Sequence, residues 1–241
     1  MKIAVTNDDG IYAEGIDVLA NVAAEFGDVT VIAPRHHHSG CSHQMTFDGH
    51  LDAADLGGKR YWIDGYPADC VRIALAEICP DVDLVLSGIN HGSNLGLDNY
   101  LSGTVAAARE ATFFGLPAIA FSQYHRGLNE EVWGYAKIMT RRLLGYLLDG
   151  KLKSGCYWNV NFPVVQQQDP NEIEIVEAKM DLTPLPNQYL PRDDGYFYKG
   201  DYHARKYAMG TDVAVCQSGR IPITLIPVGA VAVDPQAVSS D

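Results

Sequence analysis

The sequence predicts a doubly wound α/β fold: a mostly parallel, Rossmann-like sheet in a three-layer αβα arrangement, with an extended C-terminal arm. Three observations carry this prediction. Short apolar runs read as buried strands, segments of helical spacing alternate with them, and several of the runs end in Asp, Ser, Asn or Gly. A strand that ends in polar residues sets them at the carboxyl edge of a sheet, where open α/β folds bind ligands.

The first strand is Lys2-Ile3-Ala4-Val5, running into Asn7-Asp8-Asp9-Gly10. Ile16, Leu19, Ala23 and Phe26 then fall at helical spacing, with Gly27 as the stop. Val29–Ala33 is a second buried strand, closed by Pro34. Strand, helix and strand at this length imply a right-handed parallel crossover. Residues 35–45 make a polar loop leaving the same sheet edge as Asp8 and Asp9. Thr46–Ala53 and Arg60–Asp64 alternate and are bounded by glycines, so they read as a hairpin or short strands. Pro67–Ile78 is a helix with proline at its start. Leu84–Leu86 is a buried strand ending in Ser87-Gly88-Ile89-Asn90, Ser102–Phe114 a small-residue helix stopped by Gly115, and Ala118–Phe121 another strand. Glu130–Leu148 is a longer amphipathic helix and Trp158–Phe162 a further strand.

The last third differs. Pro184–Met209 has prolines, glycines, charges and tyrosines without a sustained period, which fits a long arm or extended hairpin packed on another subunit, or an exposed loop. Arg220–Pro227 alternates like a strand, and Pro222 and Pro227 confine it to an edge. The expected organisation is one domain over 1–241, its core about 1–183, its arm and oligomerisation region about 184–241.

Composition excludes several classes. With 241 residues, 47% hydrophobic and 20% charged, the chain is ordinary for a globular protein with a substantial core. No apolar run is long enough to span a bilayer, and the N-terminus is a strand bearing acids, not a signal peptide. A net charge of −12 argues against a nucleic-acid polymer or an anionic membrane as partner. Five scattered cysteines without C-x-x-C spacing fit reduced thiols in the cytoplasm.

Two adjacent carboxylates repel unless a proton or cation sits between them. Asp8 and Asp9 therefore propose a metal site, although a solvated turn explains Asn7–Gly10 equally well. Parallel strands bring the loops carrying Asp8, Asp9, Ser39 and Asn90 to one end of the sheet. Two carboxylates, a hydroxyl and an amide oxygen suit one hard divalent cation per subunit, Mg²⁺ or Mn²⁺, better than zinc. Beside them run the glycine-rich Gly88–Gly96 and Ser102-Gly103-Thr104, which opens a helix. The latter triplet is a phosphate clamp or a plain helix cap. Neither the G-K-[ST] ending of a P-loop nor the G-x-G-x-x-G spacing is present. His36-His37-His38 is an exposed polar run or a transition-metal ligand set.

Six ordered motifs now resemble one family: Asn7-Asp8-Asp9-Gly10; Ala33-Pro34 followed by Ser39-Gly40; Asp69-Cys70-Val71; Ser87-Gly88-Ile89-Asn90-x-Gly92-x-Asn94-Leu95-Gly96; Ser102–Glu110; and Asn159-Val160-Asn161-Phe162-Pro163. Together they resemble the survival protein E (SurE) family from residue 1 to about 163, then weakly through Gly210-Thr211-Asp212. The resemblance implies a metal-dependent 5′-nucleotidase hydrolysing nucleoside monophosphates, sometimes acting on short polyphosphate. It places metal ligands on Asp8, Asp9, Ser39 and Asn90, and it implies homodimers or homotetramers that exchange C-terminal elements.

On this reading the ion polarises a phosphoryl oxygen and acidifies an attacking water. Asp8 and Asp9 are the catalytic pair, Asp8 the better proton acceptor. Asn94 and the N–H groups of Ser102, Gly103 and Thr104 meet the phosphate, and His43 is a candidate acid for the leaving oxygen. The chain departs from the family's Asp-Arg-x-Arg, carrying Arg35-His36-His37-His38; from its Gly-Thr-Pro, carrying Gly65-Tyr66-Pro67; and from its tyrosine at Leu101. Pro222–Pro227 is also off the family's closing strand. Three rivals belong to other classes: a phosphatase working through an aspartyl-phosphate, disfavoured because its motif is Asp-x-Asp, a non-catalytic nucleotide-binding module, and a scaffold held together by tail exchange.

Overall fold

The computed structural model describes residues 1–125, 131–165 and 168–229. Lys2–Thr6 (β1) leads through helix Glu14–Ala23 (α1) to Asp28–Pro34 (β2), which pairs parallel with it. Ala53–Asp55 (β3) and Arg60–Ile63 (β4) form an antiparallel pair, and β4 lies parallel to β2. Pro67–Ile73 (α2) runs on into a wider π-type turn at Ala74–Ile78. Leu84–His91 (β5), a 3₁₀ turn at Gly96–Tyr100, Gly103–Phe113 (α3) and Ala118–Gln123 (β6) follow. Val132–Leu148 (α4) leads to Cys156–Phe162 (β7). The last third supplies Ile175–Glu177 (β8), Tyr189–Arg192 (β9), Gly195–Tyr198 (β10), Asp212–Gln217 (α5) and Ile221–Pro227 (β11).

Nine strands form one sheet in the order β3-β4-β2-β1-β5-β6-β7-β11-β8. The strands from β4 to β7 are parallel, as successive βα units require. The doubly wound α/β prediction holds, and the order reverses between β1 and β5. Side-chain alternation divides the core in two. Ile3, Val5, Leu84, Leu86, Ile119, Phe121, Val160 and Phe162 face α1 and α4, whereas Ala4, Val85, Ala118 and Ala120 face α2 and α3. Ile16, Leu19 and Val22 of α1 meet Met139, Leu143 and Leu144 of α4 on the first face. Each such fully buried Leu or Ile contributes about 1.5–3 kcal/mol. The second face is rich in alanine on both sides, so α3 sits close to the sheet. No helix among the described residues is long and apolar enough to cross a membrane.

Several sequence expectations are corrected. Helix α1 ends at Ala23, with Phe26 in the following turn and packed against the core. Thr46–Asp52 is not a strand; only Ala53–Asp55 pairs with β4. Ser87–Asn90 belongs to β5 and not to a loop after it, and the register with β6 shifts between Ser87 and Asn90. Gly88 makes this possible: its φ is +134°, and a Cβ there would strike the Phe121 carbonyl. Glu130, the expected start of the long helix, lies outside the described residues, as does 230–241 of the expected arm.

β11 is an interior strand and not an edge. It pairs antiparallel with β7 and parallel with β8. Ile221 donates to Glu174 O and Ile223 accepts from Ala178 N, so odd residues bond toward β8 and even ones toward β7. Pro222 therefore faces β7 one residue before that pairing begins at Ile223, and Pro227 faces the β8 side beyond its last residue, Glu177. Neither proline removes a needed bond. In the arm, β9 and β10 form a separate antiparallel hairpin with exposed faces.

Candidate active site

The strand order reverses between β1 and β5, and ligands of open α/β sheets bind at such a crevice, beyond the carboxyl ends of the strands. Asp8 and Asp9 leave β1 at that place. Asn7, fully buried, holds the turn: its Oδ1 accepts from Gly10 N (3.1 Å) and its Nδ2 donates to Gly10 O (2.9 Å). The two acids are thus presented by a fixed Asx turn.

Asp8 is 2% exposed. Thr104, in the first turn of α3, donates its hydroxyl to Asp8 Oδ1. Gly103 lets the helix come this near, because a Cβ there would stand 2.9 Å from Asp8 Cβ and 2.7 Å from Cys41 Sγ. Burial pushes the Asp8 carboxyl up to about 6; the Thr104 hydrogen bond opposes the shift and the Asp9 charge adds to it. Asp9 is half-buried. His91 N donates to its Oδ2 (2.9 Å), and His37 Nδ1 lies 3.3 Å from its Oδ1.

Ser39 is exposed, in the loop after β2. His38 N donates to the Asp8 carbonyl (2.7 Å) and Cys41 Sγ packs beside Gly103, so both flanks of Ser39 are tied to Asp8 and α3. Asn90 lies at the end of β5, next to the His91 amide that holds Asp9. Its Nδ2 donates to Gly92 O (2.8 Å), but its Oδ1 is buried with no hydrogen-bond partner among the described residues. Beneath, Thr6 and Ser87 are cross-strand partners whose buried hydroxyls also have none. Orphaned acceptors beside two carboxylates are what a cation site requires, because buried polar atoms otherwise find partners. The donors are all oxygen, which fits Mg²⁺ or Mn²⁺. The described residues hold no group of three His, Cys, Asp or Glu side chains able to bind a metal, so nothing supports the histidine run as a ligand set. His38 is held below the ordinary imidazole value, first by burial and then by the charge of His36.

The expected phosphate groups divide. Ser102 caps α3, its Oγ accepting from Val105 N (3.1 Å), and its own N–H donates to Asp98 O (2.9 Å), so that N–H is not free for an anion. Thr104 is engaged with Asp8. Gly103 N–H remains at the helix N-terminus. Asn94 is the hub of a buried amide network: its N–H donates to Asn161 Oδ1 (2.8 Å), its Nδ2 to Ser122 Oγ (2.8 Å), and its carbonyl accepts from Asn159 (2.7 Å) and Asn161 (3.2 Å). His43 is turned away. Its Nε2 meets Glu110 Oε2 (2.9 Å) and its Nδ1 meets an Arg109 nitrogen (3.2 Å). Glu110 lies six residues beyond Thr104, about 9 Å along the helix.

Sequence reasoning missed three supports. The rings of His125 and Trp133 gather on that of His91, whose backbone N–H holds Asp9, with centroids 4.4 and 6.1 Å from it. Residues 202–212 grip the glycine-rich loop: Arg205 donates to Leu95 O (2.8 Å) and pairs with Asp98 (3.0 Å), and Asp212 accepts from Gly96 N (2.7 Å). Tyr202 bonds Asp98 and meets Ser93 Oγ (2.9 Å). A buried arginine and a half-buried tyrosine in an aperiodic stretch carry no sequence signal beyond their types.

The family model of survival protein SurE matches residues 3–183. A protein of Nostoc sp. is 43% identical over 228 residues, covering 95% of this chain and 100% of its own length. The chain belongs to the SurE family. Among its relatives, the 5′-nucleotidase SurE of Legionella pneumophila (strain Philadelphia 1) is 37% identical, over 93% of this chain and 90% of that protein. The crystal structure of the SurE protein from Aquifex aeolicus superposes with a TM-score of 0.85 at 27% identity, over 99% of this chain and 98% of that one.

Proposed function

We propose that this SurE-family chain is a 5′-nucleotidase, a metal-dependent phosphohydrolase that removes the phosphate of nucleoside monophosphates. The reading rests above all on one arrangement: a buried carboxylate held by Thr104, a second carboxylate beside it, and the unpartnered Asn90 Oδ1, all at the strand-order reversal. Relatives named 5′-nucleotidase support the substrate class.

Asp8, Asp9, Ser39 and Asn90 would hold the cation. A divalent ion bound there supplies Lewis acidity toward a phosphoryl oxygen and a water. Asp8, fixed through Oδ1 by Thr104, keeps Oδ2 for the proton of the attacking water. Gly103 N–H and the Asn94 amide proton that Ser122 does not take stabilise charge on the transferring phosphoryl group. The half-buried carboxylate of Asp9 and the ordered backbone around it keep the cation's ligands in place before substrate arrives. His43, with both ring nitrogens engaged, is given no part. The chain works in the cytoplasm as a homodimer or homotetramer, its exposed 189–198 hairpin being the element for exchange. The core of about 1–183 carries the chemistry and the later region the assembly and the loop support.

Phosphate release from AMP and a panel of nucleotides and short polyphosphates, with Mg²⁺ or Mn²⁺ in turn, tests the reading. Activity lost in Asp8→Ala with the fold retained is expected. Near-normal turnover by Asp8→Ala, or a trapped aspartyl-phosphate, would overturn it.

A further inference from the structure

A cavity lies far from Asp8. β7 is parallel to β6 and β1, so its start is at the amino edge of the sheet, opposite the edge where Asn161 reaches Asn94. There, β7, β11, the segment after β8 and the loop after α4 enclose about 630 Å³. Trp158, Ile223, Leu225 and Met180 give it an apolar lining, and Lys151, Lys153 and Lys179 stand around it, with Glu177 the one acid among the described lining residues.

The charge pattern is selective. The chain carries a net −12, yet three of its 18 cationic side chains line this one cavity. Among the described residues no carboxylate lies within ion-pair distance of any of the three. Lys151 Nζ rests 4.4 Å over the Tyr146 ring instead. Unpaired ammonium groups on flexible stems are point charges suited to phosphate, sulfonate or carboxylate oxygens. The backbone adds to this. The β11–β8 ladder stops at Ile223 and Glu177, and odd residues of β11 bond toward β8, so the N–H of Leu225 is turned to a bare strand edge beside the cavity. An apolar floor with a few convergent polar groups is the usual composition of a small-molecule site.

We infer that this cavity binds a small organic anion, one whose apolar body covers Trp158 and Leu225 and whose acidic group meets Lys151, Lys153 and Lys179. The site is separate from the phosphohydrolase centre and makes no demand on it.

The probe is 1-anilinonaphthalene-8-sulfonate, an apolar body with one anionic group, titrated by fluorescence into the full chain. Saturable binding is expected, weakened at least tenfold in Lys151→Glu/Lys153→Glu/Lys179→Glu while thermal unfolding and phosphate release from AMP stay at wild-type values. The uncharged analogue N-phenyl-1-naphthylamine is expected to bind at least tenfold more weakly than the sulfonate. A second variant, Tyr196→Ser/Phe197→Ser, removes the two most exposed aromatic residues of the 189–198 hairpin and should leave probe binding unchanged. Equal affinity in the triple-lysine variant, loss of the signal in the hairpin variant, or no saturable binding at all would overturn the inference.

Discussion

Thr104 donates its hydroxyl to Asp8 Oδ1, across 96 residues of sequence, and so fastens the first turn of α3 to the acid that ends β1. Both groups are buried, which makes the bond the main neighbour of a desolvated carboxylate. Thr104→Val keeps the shape and removes the donor. Partners that orient a metal-binding carboxylate are worth roughly 10–100-fold in metal affinity or activity, and a loss of that size is expected. Thr104→Ser should recover most of it. The measurements are phosphate release as Mn²⁺ is titrated and the Mn²⁺ concentration at half-maximal rate; an unchanged value in Thr104→Val would remove Thr104 from the site.

Gly103→Ala tests how near α3 must come. The new Cβ would meet Asp8 Cβ at 2.9 Å and Cys41 Sγ at 2.7 Å. Cys41 can turn aside, but the Asp8 Cβ cannot, since Asn7 fixes its turn. The helix start must shift, at about 1–3 kcal/mol for overpacking. A fall in denaturation midpoint together with reduced turnover is expected. Cys41→Ala in the same chain should restore only part of either.

How much of this was legible in the sequence depends on where the information lies. Leu84–Leu86 and Ala118–Phe121 are apolar runs bounded by proline, glycine or polar residues, and a run of that kind has few options but a strand covered on both faces. Asp8, Asp9 and Asn90 could be brought together because each ends a parallel strand, and topology then does the rest. β8, only three residues long, and the interior place of β11 were not legible. Pro222 and Pro227 argue for an edge until the alternation of the bonds is known. The engagement of Ser102 N–H with Asp98 and of His43 with Glu110 depends on tertiary neighbours, which no local pattern encodes.

Asp8→Asn should trade function for stability. The carboxyl titrates at about 6 in the fold against an ordinary 3.8, so without a cation its ionised form disfavours folding. The sign follows from proton uptake. Between pH 3.8 and 6 the folded state holds a proton that the unfolded state has released, so stability falls as pH rises through this window. The cost is about 2–3 kcal/mol above pH 6 and nil below pH 3.8. In metal-free protein, Asp8→Asn is therefore expected to melt higher than wild type at pH 7, with the gain shrinking toward pH 4 and activity lost throughout. Thermal melts of both proteins in EDTA from pH 4 to 8 provide the check. Added Mn²⁺ should raise the wild-type melting temperature and leave Asp8→Asn nearly unmoved, since only a ligand that favours the folded state stabilises it.

Arg205 ties the C-terminal region to the glycine-rich loop, and the cost of removing it separates charge from mere contact. Burial raises the Asp98 carboxyl, against the opposing charge of Arg205 and the hydrogen bond of Tyr202. The pair is almost fully buried, at 3.0 Å. Arg205→Met leaves Asp98 buried without its cation, which costs about 3–5 kcal/mol in comparable sites. It also frees Leu95 O and loosens the loop from Asn94 to Ser102. Asp98→Asn with Arg205→Met removes both charges and should recover much of the stability, because a desolvated lone charge is the larger part of the penalty. Turnover should not recover in parallel, since the loop still lacks its bond at Leu95. Urea midpoints of the two single variants and the double variant, set beside kcat and KM for AMP, measure both effects. If stability and kcat returned together in the double variant, Arg205 would be an ordinary structural ion pair without influence on the loop.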